Sequence, residues 1–381
     1  MPKPRKSEAN NVQEKSAPGR LTPSTRVSGQ VRIVGTGLLG GSIALALRSQ
    51  GVDVVLADAS PSSVRLAVDL GAGRAASPED NPTLIVVCVP PDVTADIIEA
   101  ELLRFPEAVV TDVASVKLAP LFELQDRGVN LTRYIGSHPL AGRERGGTIS
   151  ARGDLFLGRP WVICRDEETP RWALALVEDL AHDVGALTIE MTPEAHDEAV
   201  GLVSHVPQII SSLMAKQLQN ASDDAVRLAG QGLRDVTRIA ASSPELWIQI
   251  LSANSEVVVS VLERVQDDLA EMTQALRNVD APGSRRAIAR EISAGNDGVA
   301  RLPGKHGQNR RFASLIVLID DTPGQLARLL TEIGELGINL EDLRLEHAEG
   351  AQMGLVEFSV LPEVVDTLTL ELEKLGWRIA A

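Results

Sequence analysis

Tyrosine occurs once in the 381 residues, phenylalanine five times and tryptophan four times, so aromatics make up only 3% of the chain. Its cores must therefore be built from Ala, Val, Ile and Leu, within a hydrophobic share of 44%. Cysteine is nearly as scarce. Cys88 and Cys164 are the only two, and each lies in an apolar run (LIVVCV and WVIC), which reads as a buried free thiol rather than a disulfide framework. Positive charge is short as well: the formal net charge is −15. That argues against general binding to nucleic acid or anionic membrane, both of which draw on surplus Lys and Arg. A locally basic cleft for an anionic substrate is still compatible with it. The six histidines show no tight metal-ligand spacing, and no metal site is expected. No apolar run approaches the ~20 residues needed to span a bilayer. Residues 1–28 are polar, do not form a signal peptide, and read as a disordered tail. A cytoplasmic location follows as the expectation.

The rest of the chain divides by periodicity. From Val31 to about Glu190, short apolar runs (VRIVG, VDVVLAD, LIVVCVP, AVVTDV, YIGSHP) alternate with helical segments. Apolar strands separated by helices predict an α/β domain with a mostly parallel sheet covered on both faces, residues 29–191. From Pro193 to about Asn278 strand signal vanishes and apolar residues recur at helical spacing. This predicts an all-helical second domain, residues 192–281, whose wide apolar faces suit packing against a second copy in a homodimer. Residues 282–311, rich in Gly and Arg, read as a linker. Residues 312–381 follow the order βαββαβ, a ferredoxin-like unit.

GTGLLG, spanning Gly35, Gly37, Leu38, Leu39 and Gly40, follows a strand and opens a helix. In that context it is a dinucleotide fingerprint. Gly35 allows the tight turn, Gly37 lets the backbone approach a pyrophosphate, and Gly40 lets helix and strand pack closely. The helix N-terminus offers N–H groups and a positive dipole end to phosphates. The second strand ends at Asp58, where a carboxylate can accept from ribose hydroxyls and would repel a 2′-phosphate, so NAD is favoured. Ser60, Ser62 and Ser63 follow closely, and NADP is less excluded than NAD is favoured.

Two loops at later strand ends, TDVASVK and GSHPLAGRE, join this fingerprint and the helical segment GLRDVTRIAASSPELW. Together they make residues 31–302 resemble the prephenate dehydrogenase family, and DDTPGQLARLLTEIGELGINL resembles an ACT domain. The resemblance implies NAD-dependent oxidative decarboxylation of prephenate to 4-hydroxyphenylpyruvate in tyrosine biosynthesis. Arogenate dehydrogenase or dual specificity is the alternative, and a catalytically silent ligand sensor is a reading from another class.

The resemblance also assigns roles. His138 would be the base or acceptor at the substrate hydroxyl, and Ser115 would bond the same hydroxyl. Arg238 would bind a substrate carboxylate, with Arg234 one turn earlier. Glu144 would border the site and Trp247 would help close the pocket. Lys117 is either structural or a nearby positive charge, and His205 is packed structurally. Some family members carry a histidine three residues beyond His205. This chain has Gln208 there, which leaves prephenate against arogenate open. Arg143 and Arg145 either meet a carboxylate or are solvated. The ACT resemblance implies an amino-acid effector, tyrosine first, near Asp321, Thr322, Pro323 and Gly324 and the segment Gly337 to Leu340.

Overall fold

The computed structural model describes residues 25–143, 146–165, 169–302, 312–347 and 353–380. It separates into two compact units. One gathers Met1–Arg227 with Val236–Leu262, the other Leu228–Asp235 with Glu263–Ala381.

The first unit begins with alternating strands and helices: β1 (Gln30–Val34), α1 (Leu38–Ser49), β2 (Asp53–Ala57), α2 (Pro61–Asp69), β3 (Arg74–Ala75), β4 (Leu84–Val87), α3 (Thr94–Arg104), β5 (Val109–Asp112), α4 (Leu118–Asp126), β6 (Tyr134–Pro139), β7 (Pro160–Cys164), α5 (Arg171–Asp183) and β8 (Leu187–Met191). The strands form one sheet in the order β3-β2-β1-β4-β5-β6-β7-β8. Every neighbouring pair is parallel except β6 with β7. The inner strands are buried along their length because both faces are covered, hence their unbroken apolar runs. On one face Ile43, Leu47, Val177 and Leu180 pack with Phe156 and Trp161. On the other, Ile98, Leu102 and Leu124 pack with Ile85 and Val110. The sequence pattern predicts five of these strands. β3 is only two residues long, and LTIEM in β8 mixes polar with apolar residues on an exposed edge, so neither carries the buried-strand signature.

The strand order reverses between β1 and β4, with β2 and β3 on one side and β5 and β6 on the other. In an open α/β sheet, ligands settle beyond the carboxyl ends of the strands at such a point.

A run of helices follows: α6 (Pro193–Val200), α7 (Val206–Gln217), α8 (Asp223–Arg227), α9 (Gln231–Thr237), α10 (Pro244–Ala253), α11 (Ser255–Arg277) and α12 (Ser284–Val299). A single π-helical turn, Gly201–His205, joins α6 to α7. Val206, Val258 and Val261 form a small core with Ile209, Leu251 and Leu262. Helix α12 corrects the linker reading over Ser284–Val299, and residues 303–311 of the expected linker lie outside the described residues. Ala287, Ile288, Ile292 and Val299 lie at helical spacing, and Gly283, at φ 94°, starts the turn into the helix. The tail reading also ends early. The backbone N–H groups of Arg26 and Val27 donate to the Asp183 carboxylate at 2.9–3.0 Å, and Val27 is buried. Residues 1–24 of the expected tail lie outside the described residues.

In the second unit β9 (Ala313–Asp320), α13 (Gln325–Glu335), β10 (Asp342–His347), β11 (Met353–Val360), α14 (Val365–Lys374) and β12 (Arg378–Ala380) give the order βαββαβ. Their antiparallel sheet runs β10-β11-β9-β12. Leu315, Val317, Val356 and Phe358 pack beneath Leu329, Ile333, Leu368 and Leu372 of its two helices. Among the described residues no single helix is long and apolar enough to cross a membrane.

Candidate active site

The fingerprint loop leaves β1 with Gly35 at φ 96°, a conformation side chains rarely adopt. A Cβ at Gly35 would sit 2.2 Å from the Cys88 carbonyl oxygen. At Gly40 it would meet the Gly35 carbonyl oxygen at 1.9 Å, so α1 can lie this close to β1 and β4 only with glycine there. Gly37 differs: nothing lies within 4 Å of where its Cβ would be. The space above the start of α1 is open, and the first turn of that helix has no side-chain cap. Leu38 and Leu39 begin the helix, both half-buried. Asp58, just past β2, accepts from Thr36 N–H at 2.7 Å and from the Thr36 hydroxyl at 3.0 Å through one oxygen. Its other oxygen accepts from Ser60 N–H at 2.8 Å. A carboxylate offers about four lone-pair positions, so Asp58 both braces the turn and keeps acceptor capacity for a ribose hydroxyl. An open helix N-terminus, glycines where side chains would collide, and a carboxylate at the end of β2 fit a dinucleotide.

β5 and β6 pair in parallel, Asp112 opposite Gly136. The loop after β5 and the last residues of β6 therefore leave the same end of the sheet. Ser115 lies in that loop, half-buried, and His138 lies in β6, only 8% exposed. Lys117 is fully buried and pairs with Asp112, and it donates to the Ser137 carbonyl at 2.8 Å. Tyr134 donates its hydroxyl to the other Asp112 oxygen at 2.7 Å. Gly136 makes room for this: a Cβ there would press on the Lys117 side chain and the Tyr134 hydroxyl, each at 3.3 Å. Lys117 thus ties β5 to β6, and it also stands as a positive charge near His138.

His138 Nδ1 lies 2.9 Å from His196 Nε2, and the two rings stand nearly perpendicular. His196 Nδ1 lies 2.7 Å from Asp197 Oδ1. The Asp197 carboxylate also accepts the N–H groups of Lys117 and Leu118, each at 2.9 Å, at the start of α4. Asn254 donates to the Asp197 carbonyl at 2.8 Å and lies 3.1 Å from His205 Nδ1. Burial, then the neighbouring His196, Lys117 and His205, hold the His138 pKa well below the ordinary histidine range. Burial chiefly lowers His205 as well, to about 4. Neutral imidazoles, able to accept a proton, result.

Beyond β6 the chain folds back over the fingerprint. Thr148 donates its hydroxyl to the Thr36 carbonyl at 2.7 Å, and Arg152 N–H donates to the Ser42 hydroxyl at 2.9 Å. Residues 148–152 are thereby fixed to the fingerprint turn and to α1. Arg143 donates to the Ser150 carbonyl at 3.3 Å. Glu144 and Arg145 lie outside the described residues.

The helical residues stand differently. Arg238 begins a 3₁₀ turn, Arg238–Ala240, after α9. It is exposed, and it has no ion-pair partner among the described residues. The turn is anchored nearby, since Gln208 of α7 donates to the Ser242 hydroxyl at 2.7 Å. Trp247 of α10 is half-buried, its ring edge-on to His205 at 6.1 Å between centroids. Arg234 is exposed on α9 and belongs to the second unit.

Nothing in the local sequence pattern assigns His196 and Asp197 a part in the site. The contact that recruits them spans 58 residues. The available signal was two adjacent titratable groups, His196 and Asp197, in a helix that buries both.

Two family models match the chain: the nucleotide-binding domain of prephenate dehydrogenase over residues 43–190, and its dimerization domain over 192–290. The first match starts beyond GTGLLG, so the fingerprint stands on its own geometry. A probable prephenate dehydrogenase, NovF, of Streptomyces niveus is 37% identical over 353 residues, covering 91% of this chain and 98% of that protein. Prephenate dehydrogenase of Bacillus subtilis is 26% identical, over 86% of this chain and 91% of that protein. Among solved structures, prephenate dehydrogenase of A. aeolicus with hydroxyphenyl propionate and NAD+ superposes with a TM-score of 0.63 at 27% identity, covering 71% of this chain and 98% of that one. Synechocystis arogenate dehydrogenase does so at 0.58 and 26%, covering 71% and 100%.

Proposed function

The chain belongs to the prephenate dehydrogenase family, and from that premise we propose the parts its residues play. It is an NAD-dependent oxidoreductase that converts prephenate by oxidative decarboxylation, and its helical region is the family's dimerization domain. Bound NAD+ supplies the hydride acceptor for C4 of the substrate. Gly35, Gly37, Leu38, Leu39 and Gly40 hold its pyrophosphate, and Asp58 takes a ribose hydroxyl. His138 accepts the 4-hydroxyl proton as hydride leaves C4. When the C1–carboxylate bond breaks and carbon dioxide departs, its electrons aromatise the ring, and the proton returns from His138 to the ring oxygen. Ser115, from the neighbouring strand end, bonds the same hydroxyl. Arg238 pairs with a substrate carboxylate, since its guanidinium fork suits bidentate binding. The family resemblance adds Trp247, Glu144 and Arg234 as further substrate-binding residues.

One observation carries this reading. A buried, neutral histidine stands near the carboxyl end of β6, beside the strand-end loop of Ser115, and Thr148 farther along the chain is bonded to the fingerprint turn.

Residues 29–191 are read as the dinucleotide-binding domain and 192–281 as the helical domain, which α12 extends. Residues 312–381 are read as an ACT domain. The βαββαβ order and the β10-β11-β9-β12 sheet support that reading, and tyrosine is the proposed effector. Arogenate is the second substrate reading. The donors of Gln208 are engaged by Ser212 and Ser242, which leaves its carbonyl oxygen as an acceptor suited to an amine. The test is NADH or NADPH formation with prephenate and with arogenate, each with NAD+ and NADP+, with and without tyrosine. Prephenate with NAD+ is expected to be fastest and tyrosine inhibitory. Faster turnover of arogenate would reverse the substrate assignment, and indifference to tyrosine would remove the effector.

A further inference from the structure

We infer that His196 and Asp197 form a positioning pair that fixes the proton of His138 on Nδ1 and leaves its Nε2 as the proton acceptor. This rests on the reading of His138 as the base and specifies which of its two nitrogens acts. Asp197 accepts two backbone N–H groups, from Lys117 and Leu118, in addition to facing His196 Nδ1 at 2.7 Å. An ionised carboxylate can only accept, so His196 Nδ1 carries hydrogen and donates. In neutral His196 the other nitrogen, Nε2, is then a lone pair. His138 Nδ1 lies 2.9 Å from that lone pair and donates to it. His138 Nε2 is left without hydrogen.

All three side chains are withdrawn from water: His196 is 0% exposed, Asp197 1% and His138 8%. Solvent exchange between tautomers is therefore suppressed, and the hydrogen-bond partners decide. The order carboxylate, orienting imidazole, acting imidazole extends the logic of a base held by a third group. When His138 takes the substrate proton on Nε2, it becomes a cation. His196 still accepts from its Nδ1, and the negative Asp197 stands behind. The other groups facing His138 are Lys117 and His205. The Lys117 charge is taken up by Asp112, and His205 is kept neutral mainly by burial.

Asp197 also holds the start of α4, so substituting it would disturb the Ser115 loop as well. His196 is the cleaner target. In the full-length protein without ligands, long-range proton–nitrogen correlation spectra of 15N-histidine are expected to show His138 protonated on Nδ1 and bare on Nε2. His196→Phe removes the acceptor. That variant is expected to lose the single tautomer and to lower kcat by about 10²-fold, the lower end of what one general base contributes, while KM for NAD+ stays unchanged. His196→Gln, whose amide oxygen can accept from His138 Nδ1, is expected to recover most of the loss. A wild-type His138 protonated on Nε2 would overturn the inference even if His196→Phe does not fold, and so would a His196→Phe enzyme with wild-type kcat and an unaltered tautomer. Near-normal turnover of His138→Asn would instead remove the base reading and leave the tautomer result standing.

Discussion

The strand-borne and helix-borne parts of the candidate site are built in opposite ways. Around His138 the charged and titratable groups are buried and paired within the chain: Asp112 with Lys117 and Tyr134, His138 with His196, Asp197 with His196 and two backbone N–H groups. Around Arg238 the guanidinium stands exposed without an ion-pair partner among the described residues. The helices beside it also expose large apolar side chains, with Leu202, Val203 and Ile248 at 57–65%. Faces of that kind call for a covering surface, in keeping with the family's dimerization domain. The contrast separates two tasks. Proton transfer needs groups whose positions and charge states are set before substrate arrives. Binding an anion needs a cation whose charge is not already spent on a neighbour.

Substitutions on the two sides should therefore fail differently. His138→Asn is expected to give the largest effect, lowering kcat by about 10²–10⁴-fold with NAD+ binding kept, because the glycine cradle and Asp58 are untouched. Steady-state kinetics paired with a fluorescence titration of the cofactor would check it, and loss of cofactor binding in step with kcat would mean that the histidine is structural. Arg238→Gln should act on the other side. Losing one charge-assisted contact costs about 1.5–3 kcal/mol, so KM for prephenate should rise by about tenfold to 100-fold while kcat holds. A variant that instead lowers kcat at unchanged KM would place Arg238 in the transition state and erase the division of labour.

The same division explains what could be read in the sequence. GTGLLG and Asp58 are local: turn, strand end and helix start lie within 30 residues, and the glycines announce their constraint directly. The βαββαβ unit was legible because β9, α13 and β11 keep their periodicities intact. His196 was not assigned, since its meaning depends on a strand 58 residues earlier. The helix over Ser284–Val299 was hidden by three arginines and two glycines, which lowered apparent order although the apolar spacing of Ile288, Ile292 and Val299 was present. β7 runs antiparallel to β6, and strand direction leaves no mark in an apolar run such as WVIC.

The smallest expected effect is on stability, and it belongs to the buried side alone. His205 has its pKa lowered to about 4, with burial as the first cause, whereas in the unfolded chain it titrates near the ordinary value of about 6.5. Between these values the unfolded state binds the extra proton and the folded state does not. Folding stability is therefore complete above about pH 6.5 and declines as pH falls toward 4. His138 adds a change of the same sign, since its pKa also lies below the ordinary value. Protonation of His205 at Nδ1 would further break its contact with Asn254, which also holds the Asp197 carbonyl. The melting temperature should thus drop by several degrees between pH 7 and pH 5, and less steeply in His205→Gln, which removes one of the titrating groups. Scanning calorimetry of both proteins across that range decides the matter. Equal slopes would mean that His205 binds its proton as readily folded as unfolded, and that the helical side of the histidine cluster is open to water after all.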